Sequence, residues 1–213
     1  MTDPETVGTY ESIAAEYRER HADRSRVADL VERFCAAVDD ATAGNDARVD
    51  GPTAGPRAGG RPRVLDAGCG PGWESATFAD RGYDPVGIDL TPAFLRIARE
   101  EAPEAALARM DMRTLGFASD AFDGVWACAS FLHVAREDAP GTLAEFRRVL
   151  RPGGVCFFSV KRGEGEMRSD AYEGDERRFT LYEPDELRAL VEDAGFAVES
   201  TTADDWVTLL ARV

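Results

Sequence analysis

Residues 63–90 read RVLDAGCGPGWESATFADRGYDPVGIDL, with glycines at 68, 70 and 72 and an aspartate, Asp89, closing the next apolar run. VLDA is short, apolar and bounded by turn residues, which predicts a buried strand. WESATFADRG has helical spacing and stops near Gly82, and Pro85 to Asp89 predicts a second strand. Strand, glycine turn and helix in that order place a ligand at the carboxyl end of a parallel sheet. Glycines lack Cβ, so the loop can turn tightly and a ligand can touch its backbone. The acid 21 positions beyond Gly68 then sits at a strand end, where its two oxygens can accept both hydroxyls of a ribose. A dinucleotide would want G-x-G-x-x-G with its pyrophosphate on the helix N-terminus. Here the pattern is GCGPGW, and neither Trp73 nor Glu74 nor their sequence neighbours offer a cation for phosphate. The loop therefore predicts a nucleoside ligand without phosphates.

The same alternation continues outward. TPAFLRIAREEA predicts a helix capped by Thr91 with Pro92 in its first turn, ALARMD a third strand and FDGVWACAS a fourth. A helix from about Asp138 to Leu150 ends at Pro152, Gly153 and Gly154, VCFFSV is a fifth strand, and EPDELRALVEDAGF is a last helix. FAVESTT and WVTLLARV close the chain as two strands. Such a pattern means an α/β fold, a mostly parallel sheet with an antiparallel edge. Before it, residues 10–38 carry helical spacing and predict an N-terminal helical cap within 1–40. Residues 41–62 are 13 parts Gly, Pro and Ala in 22 without periodicity, which predicts a flexible linker to a ligand-binding domain over 63–213.

Composition narrows the function. Forty acids against 25 bases leave a net charge of −15, and Lys161 is the only lysine among those bases. Acid-rich, lysine-poor surfaces suit concentrated salt and repel themselves when salt is dilute, so a salt-adapted, haloarchaeal source is expected. The acid excess also argues against a phosphate-backbone partner. No stretch of 18 apolar residues exists to span a membrane, and the polar start MTDPETVGTY does not read as a secretory signal, so a cytoplasmic location is expected. Cys35, Cys69, Cys128 and Cys156 are widely spaced, which predicts reduced, mostly buried thiols and no metal site.

VLDAGCGPG resembles the first motif of the class I S-adenosylmethionine-dependent methyltransferases. The likeness extends through YESIAAEYRER (10–20), GIDL, RMDMRTLGF, FDGVWACASFLHV and EFRRVLRPGGVCFFSV, and departs at the long 41–62 insertion and the 161–178 loop. It implies a Rossmann-like seven-stranded sheet of order 3-2-1-4-5-7-6, S-adenosylmethionine as cofactor and S-adenosylhomocysteine as product. It further implies that Asp66 and the backbone of Ala67, Gly68 and Gly70 line the methionine end. Asp89 would hold the ribose, Leu90 lie against adenine, Asp111 accept the adenine amine, and the Met112 N–H reach a ring nitrogen. Cys128, Ala129 and Ser130 would approach the sulfonium, Ser130 on the substrate side, and Tyr10 and Tyr17 would close over the cofactor.

Methyl transfer from a sulfonium needs a general base only if the nucleophile must lose a proton. His133, just past the fourth strand, is the candidate base. Lys161, with Arg162, Arg177 and Arg178, is a candidate anion site for substrate, and residues 161–178 are expected to be either a lid or a mobile loop. No N-P-P-Y or D-P-P-Y follows the fourth strand, which shifts weight from DNA-amine and protein-amide acceptors to a small-molecule acceptor. An RNA methyltransferase and a non-catalytic cofactor-binding regulator are the alternatives from other classes.

Overall fold

The computed structural model describes residues 3–46 and 60–213. Helices α1 (Pro4–Arg20) and α2 (Ser25–Asp46) are followed by β1 (Arg63–Ala67), α3 (Trp73–Asp80), β2 (Asp84–Asp89), α4 (Pro92–Glu101), β3 (Ala106–Arg109) and β4 (Phe122–Cys128). Then come α5 (Ala139–Val149), β5 (Leu150–Lys161), β6 (Glu166–Arg168), β7 (Arg178–Thr180), α6 (Pro184–Asp193), β8 (Ala197–Ala203) and β9 (Trp206–Arg212). The main sheet has seven strands in the order β3-β2-β1-β4-β5-β9-β8. That is the expected order once the separate hairpin β6–β7 is set aside. β1, β2, β3, β4 and β5 pair in parallel, and β9 runs antiparallel to both β5 and β8.

The N-terminal region differs from a simple cap. One helical stretch becomes two helices broken at residues 21–24, and they do different jobs. From α2, Val31, Phe34, Cys35 and Val38 pack with Val64, Phe78, Trp126 and Phe157 against one face of the sheet. Gly124 makes room for that helix, since a Cβ there would lie 2.7 Å from the Phe34 ring. Burying a Phe of this kind contributes on the order of 2–3 kcal/mol, so α2 is a structural layer of the main fold. α2 also continues to Asp46, so residues 41–46 of the expected linker are helical, while 47–59 lie outside the described residues.

The other sheet face is covered by α5 and α6 through Leu143, Phe146, Leu187 and Val191. α1 instead docks on α4, where its Glu11 carboxylate accepts the Ala93 N–H at 2.7 Å and pairs with Arg96. An acid from another helix thus satisfies the α4 N-terminus, and Thr91, the expected cap, makes no side-chain capping bond. Residues 161–178 are not a plain loop. β6 and β7 pair as an antiparallel hairpin, and Thr6 and Thr9 of α1 accept the N–H groups of Arg178 and Glu176. Among the described residues no helix is long and apolar enough to cross a membrane.

Candidate functional site

The three glycines of the first loop are bare for three different reasons. At Gly68, with φ +81°, an added Cβ would lie 2.4 Å from Ser130 Cβ, so the loop there must pass close to the end of β4. At Gly72 a Cβ would sit 2.9 Å from Ala98 Cβ, so that glycine lets α3 and α4 approach. At Gly70, with φ +51°, a Cβ would meet nothing within 4 Å. Protein packing therefore does not demand the bare backbone at Gly70; the space beside it is open.

That space belongs to an open cleft whose empty volume, adjoining solvent included, is about 900 Å³. Its floor is the loop Gly68–Cys69–Gly70 with Trp73 and Glu74, one wall is Ile88–Thr91 with Met110 and Met112, and another is Cys128–Ser130 with His133. Thr6, Val7, Tyr10 and Tyr17 of α1 close it from above. The loop is pinned to β2, because Gly68 and Cys69 both donate to the Ile88 carbonyl, at 2.8 and 2.9 Å. Asp89 completes this anchorage. Its Oδ2 accepts the Gly70 N–H at 2.9 Å and its Oδ1 the Thr91 N–H at 2.8 Å. Burial pushes the Asp89 carboxyl above its usual range, opposed by hydrogen bonds from the Thr91 and Gly70 N–H groups, the Thr91 hydroxyl and the Leu90 N–H. At the opposite wall Ala129 holds φ +51°, a conformation costing a non-glycine residue roughly 1–3 kcal/mol and typical of functional positions.

Tyr17 packs edge to face with both Tyr10 and Phe94, Tyr10 and Phe94 meet at a tilt, and Tyr17 stacks on Trp73. Arg24, from the break between α1 and α2, lies 4.8 Å over the Trp73 ring. It gives two hydrogen bonds to Glu74 Oε1, at 2.8 and 2.6 Å. His133 is held at both ring nitrogens. Nδ1 lies 2.9 Å from the Arg178 carbonyl oxygen and Nε2 2.9 Å from the Tyr10 hydroxyl. A carbonyl only accepts, so Nδ1 carries the proton and the neutral Nε2 accepts from Tyr10. Burial, with Arg177 nearby, pushes His133 down to about 4. His133, the candidate base, thus has both ring nitrogens engaged here, one by the Tyr10 hydroxyl and one by the Arg178 carbonyl.

Other expected residues fall elsewhere. Asp66 and Ala67 lie beneath the loop rather than on the cavity wall; Asp66 accepts from the Ser75 hydroxyl at 2.7 Å and the Ala67 carbonyl from Ser130. The Asp111 carboxylate is also off the wall, engaged by the Arg113 guanidinium at 2.7 Å, while its neighbours Met110 and Met112 line the cavity. The expected cation cluster is already neutralised. Arg177 is buried on Asp175, Arg178 pairs with Asp3 and Glu5, and Arg162 pairs with Glu183. Lys161 sits between the Phe179 and Trp206 rings, off the cavity wall. Arg177 nonetheless borders the site, with its guanidinium 5.0 Å above the Tyr10 ring. Arg24, Glu74, Phe94 and Met110 were not anticipated as cavity residues. Arg24 carries no local signal, because its partner is 50 positions away.

Buried Asp66 supplies a pH-dependent term. Burial, then the nearby Glu74 charge, raises its carboxyl to about 7. The folded protein therefore holds this proton over a window, from near 4 to near 7, where the unfolded chain has lost it. Stability from this group is present below the unfolded value and falls as pH rises through the window, with a limiting slope of about 1.4 kcal/mol per pH unit. Denaturant titrations of Asp66→Asn and wild type at pH 5 and pH 8 should give a difference that moves in the variant's favour at pH 8. A pH-independent difference would show that Asp66 stays ionised.

Residues 65–158 match the family model of a methyltransferase domain. Over those residues, which hold the glycine loop and the strands β1 to β5, the chain is similar to methyltransferase domains. Among curated relatives, a malonyl-[acyl-carrier protein] O-methyltransferase of Erwinia pyrifoliae is 37% identical over 118 residues, covering 53% of this chain and 42% of that protein. A demethylmenaquinone methyltransferase of Renibacterium salmoninarum is 34% identical over 100 residues, covering 46% and 41%. The matches span about two fifths of these relatives' length. The crystal structure of a Burkholderia thailandensis 1,6-didemethyltoxoflavin-N1-methyltransferase, bound to 1,6-didemethyltoxoflavin and S-adenosylhomocysteine, has a TM-score of 0.67 at 21% identity. That similarity covers 98% of this chain and 87% of the other, and it is a likeness of fold. The site fits S-adenosylmethionine: open space beside Gly70, the Asp89 carboxylate on the cavity wall, and thioether and apolar walls at Leu90, Met110 and Met112. Among the described residues no group of three His, Cys, Asp or Glu could hold a metal ion.

Proposed function

We propose that this protein moves a methyl group from S-adenosylmethionine to a small organic nucleophile that enters beside Tyr10, Ser130 and His133. The observation that carries the reading is Asp89, a carboxylate on the cavity wall at the end of β2, held in place by the Gly70 and Thr91 N–H groups beside the open space at Gly70. Asp89 would hold the ribose, Leu90 and Met112 the adenine, and Gly68, Gly70, Cys128 and Ala129 the thioether end. Bound there, the cofactor supplies a methyl carbon already activated by its sulfonium.

The chain's own contribution is positioning. Holding two reactants in line recovers much of the barrier that a bimolecular encounter would face. Ser130 is fixed by donating to the Ala67 carbonyl, and Tyr10 is fixed by His133. The Tyr10, Tyr17 and Phe94 cluster lays an apolar roof over part of the cavity. His133 takes no proton in this arrangement, so the acceptor arrives with an available lone pair. The relatives' named acceptors, a malonyl group on a carrier protein, a demethylmenaquinone and a toxoflavin precursor, are chemically unlike one another, so acceptor class is proposed only as a small organic nucleophile. RNA is not favoured, because Arg177 and Arg178 near the mouth are paired with carboxylates.

The test is a titration of S-adenosylhomocysteine in molar KCl, where the acid-rich surface is expected to be stable. Methyl-labelled S-adenosylmethionine is then incubated with small acids, phenols and amines. Binding together with label in an organic acceptor is expected. A folded protein that does not bind S-adenosylhomocysteine overturns the reading, and binding without transfer to any acceptor favours a regulatory binder.

A further inference from the structure

Four polar side chains of the cavity wall, Thr6, Tyr10, Ser130 and His133, share one property: each has already given its proton to the protein. Ser130 Oγ donates to the Ala67 carbonyl at 2.5 Å, and Thr6 Oγ1 donates to Asp3 at 3.1 Å. Tyr10 donates to His133 Nε2, and His133 Nδ1 donates to the Arg178 carbonyl, both at 2.9 Å. A hydroxyl has one proton to donate and a neutral imidazole has one. These side chains therefore turn lone pairs, and no proton, toward the cavity. The lone pairs are not equally available. The Tyr10 oxygen already receives Arg177 Nη1 at 3.4 Å, and Thr6 Oγ1 receives the Arg178 N–H at 3.0 Å. Ser130 Oγ is the open acceptor, since among the described residues no donor reaches it. The wall is equally poor in charge to offer an anion: its one Lys or Arg among the described residues, Arg24, is held on Glu74.

We propose that the methyl acceptor is an uncharged amine, whose N–H donates to Ser130 Oγ while the nitrogen lone pair is left for the methyl carbon. This names the acceptor class of the methyl-transfer reading above and rests on it. An uncharged amine carries at once a proton to donate and a lone pair to react with. The nitrogen pair forms the new bond to carbon as the carbon–sulfur pair returns to sulfur, and the charged methylated amine gives its proton to water after release. No protein base is needed. A phenol or alcohol must instead give up its proton to become reactive, and the His133 Nε2 that could receive it is occupied by Tyr10. A carboxylate needs no deprotonation, but it would set its lone pairs against those of Ser130 and Tyr10. No unpaired cation on the described wall would offset that, which is the costly case for a charge leaving water. Aromatic amines, uncharged near neutral pH, meet both conditions.

The experiment is a competition within one sample. Methyl-labelled S-adenosylmethionine is incubated with an equimolar amine, phenol and carboxylic acid on one aromatic frame (aniline, phenol and benzoate, then the naphthyl and quinolyl series), and the labelled products are separated. Because all three compete for the same loaded enzyme, cofactor affinity cancels from the ratio. The N-methyl product should exceed the ether and the ester by about tenfold or more, the scale of leaving a buried polar group unpaired. Label chiefly in the ether or the ester would overturn the inference. Ser130→Ala removes the acceptor and should lower the amine-to-phenol ratio by about 3- to 10-fold, the worth of one neutral hydrogen bond. A purely structural role for Ser130 would slow both products together, and an unchanged ratio overturns the inference. Should Ser130→Ala not fold, Tyr10→Phe reads the same ratio: it frees His133 Nε2 for a phenol's proton and should also lower it. Wild type that binds S-adenosylhomocysteine yet labels none of the compounds would instead remove the methyl-transfer reading on which the inference rests.

Discussion

Asp89→Ala should abolish S-adenosylhomocysteine binding while leaving a folded protein. Two hydrogen bonds from ribose hydroxyls to a carboxylate account for about 3–6 kcal/mol, or roughly 100- to 10,000-fold in affinity. Against this, the stability change is the balance of two opposing effects. The N–H groups of Gly70 and Thr91 lose their acceptor, at about 1–3 kcal/mol each if they find no water. They border an open cavity that admits water, and the variant no longer carries a buried carboxylate whose charge burial disfavours. Ligand binding has no comparable relief, so the affinity loss should far exceed the stability loss. Calorimetry and a melting curve on the same sample separate the two. Affinity within a few-fold of wild type would show that the ribose is held elsewhere.

Gly68→Ala and Gly70→Ala should fail in opposite ways. At Gly68 the new methyl carbon meets Ser130 Cβ at 2.4 Å, and φ is +81°. Ser130 Cβ cannot rotate away, because it is bonded to the backbone at the end of β4 and its hydroxyl is held by the Ala67 carbonyl at 2.5 Å. Left-handed strain and overpacking together should cost about 2–4 kcal/mol, lowering the melting temperature by roughly 5–15 °C for a chain of this size. At Gly70 the methyl enters free space, so only the φ penalty remains, about 1–2 kcal/mol. That space is where the ligand is proposed to pass, so Gly70→Ala should be well folded and lose most of its S-adenosylhomocysteine affinity. Differential scanning calorimetry with and without ligand reads both. Equal destabilisation by the two variants, with equal ligand stabilisation, would contradict the separate roles assigned to these glycines.

Much of this was legible in residues 63–90. The strand, turn and helix there are set by periodicity and glycine placement within one contiguous stretch, and the acid ending β2 lies where the loop needs an acceptor. The sheet order likewise follows from alternating strands and helices with two adjacent strands at the end. Legibility failed wherever the direction of a side chain mattered. Asp66 has the spacing of a cavity acid, yet it lies beneath the loop on Ser75, because alternate residues of a strand point to opposite faces. Asp111 stands beside two cavity methionines and is taken by Arg113. Counting cations near residue 161 suggested an anion site, but a count does not reveal that Arg177, Arg178 and Arg162 each already face a carboxylate.

The sequence by itself determined the class of fold, the glycine loop and the acid at the end of β2, because each is written in neighbouring residues through local period and backbone conformation. Tertiary structure alone decided that Tyr10 meets His133 across 123 positions, that Arg24 meets Glu74 across 50, and that α2 is a layer of the sheet while α1 roofs the cavity. Those pairings depend on how helices from distant parts of the chain settle on the sheet. Such packing is fixed by the shape and volume of whole buried faces, which no short stretch of residues encodes.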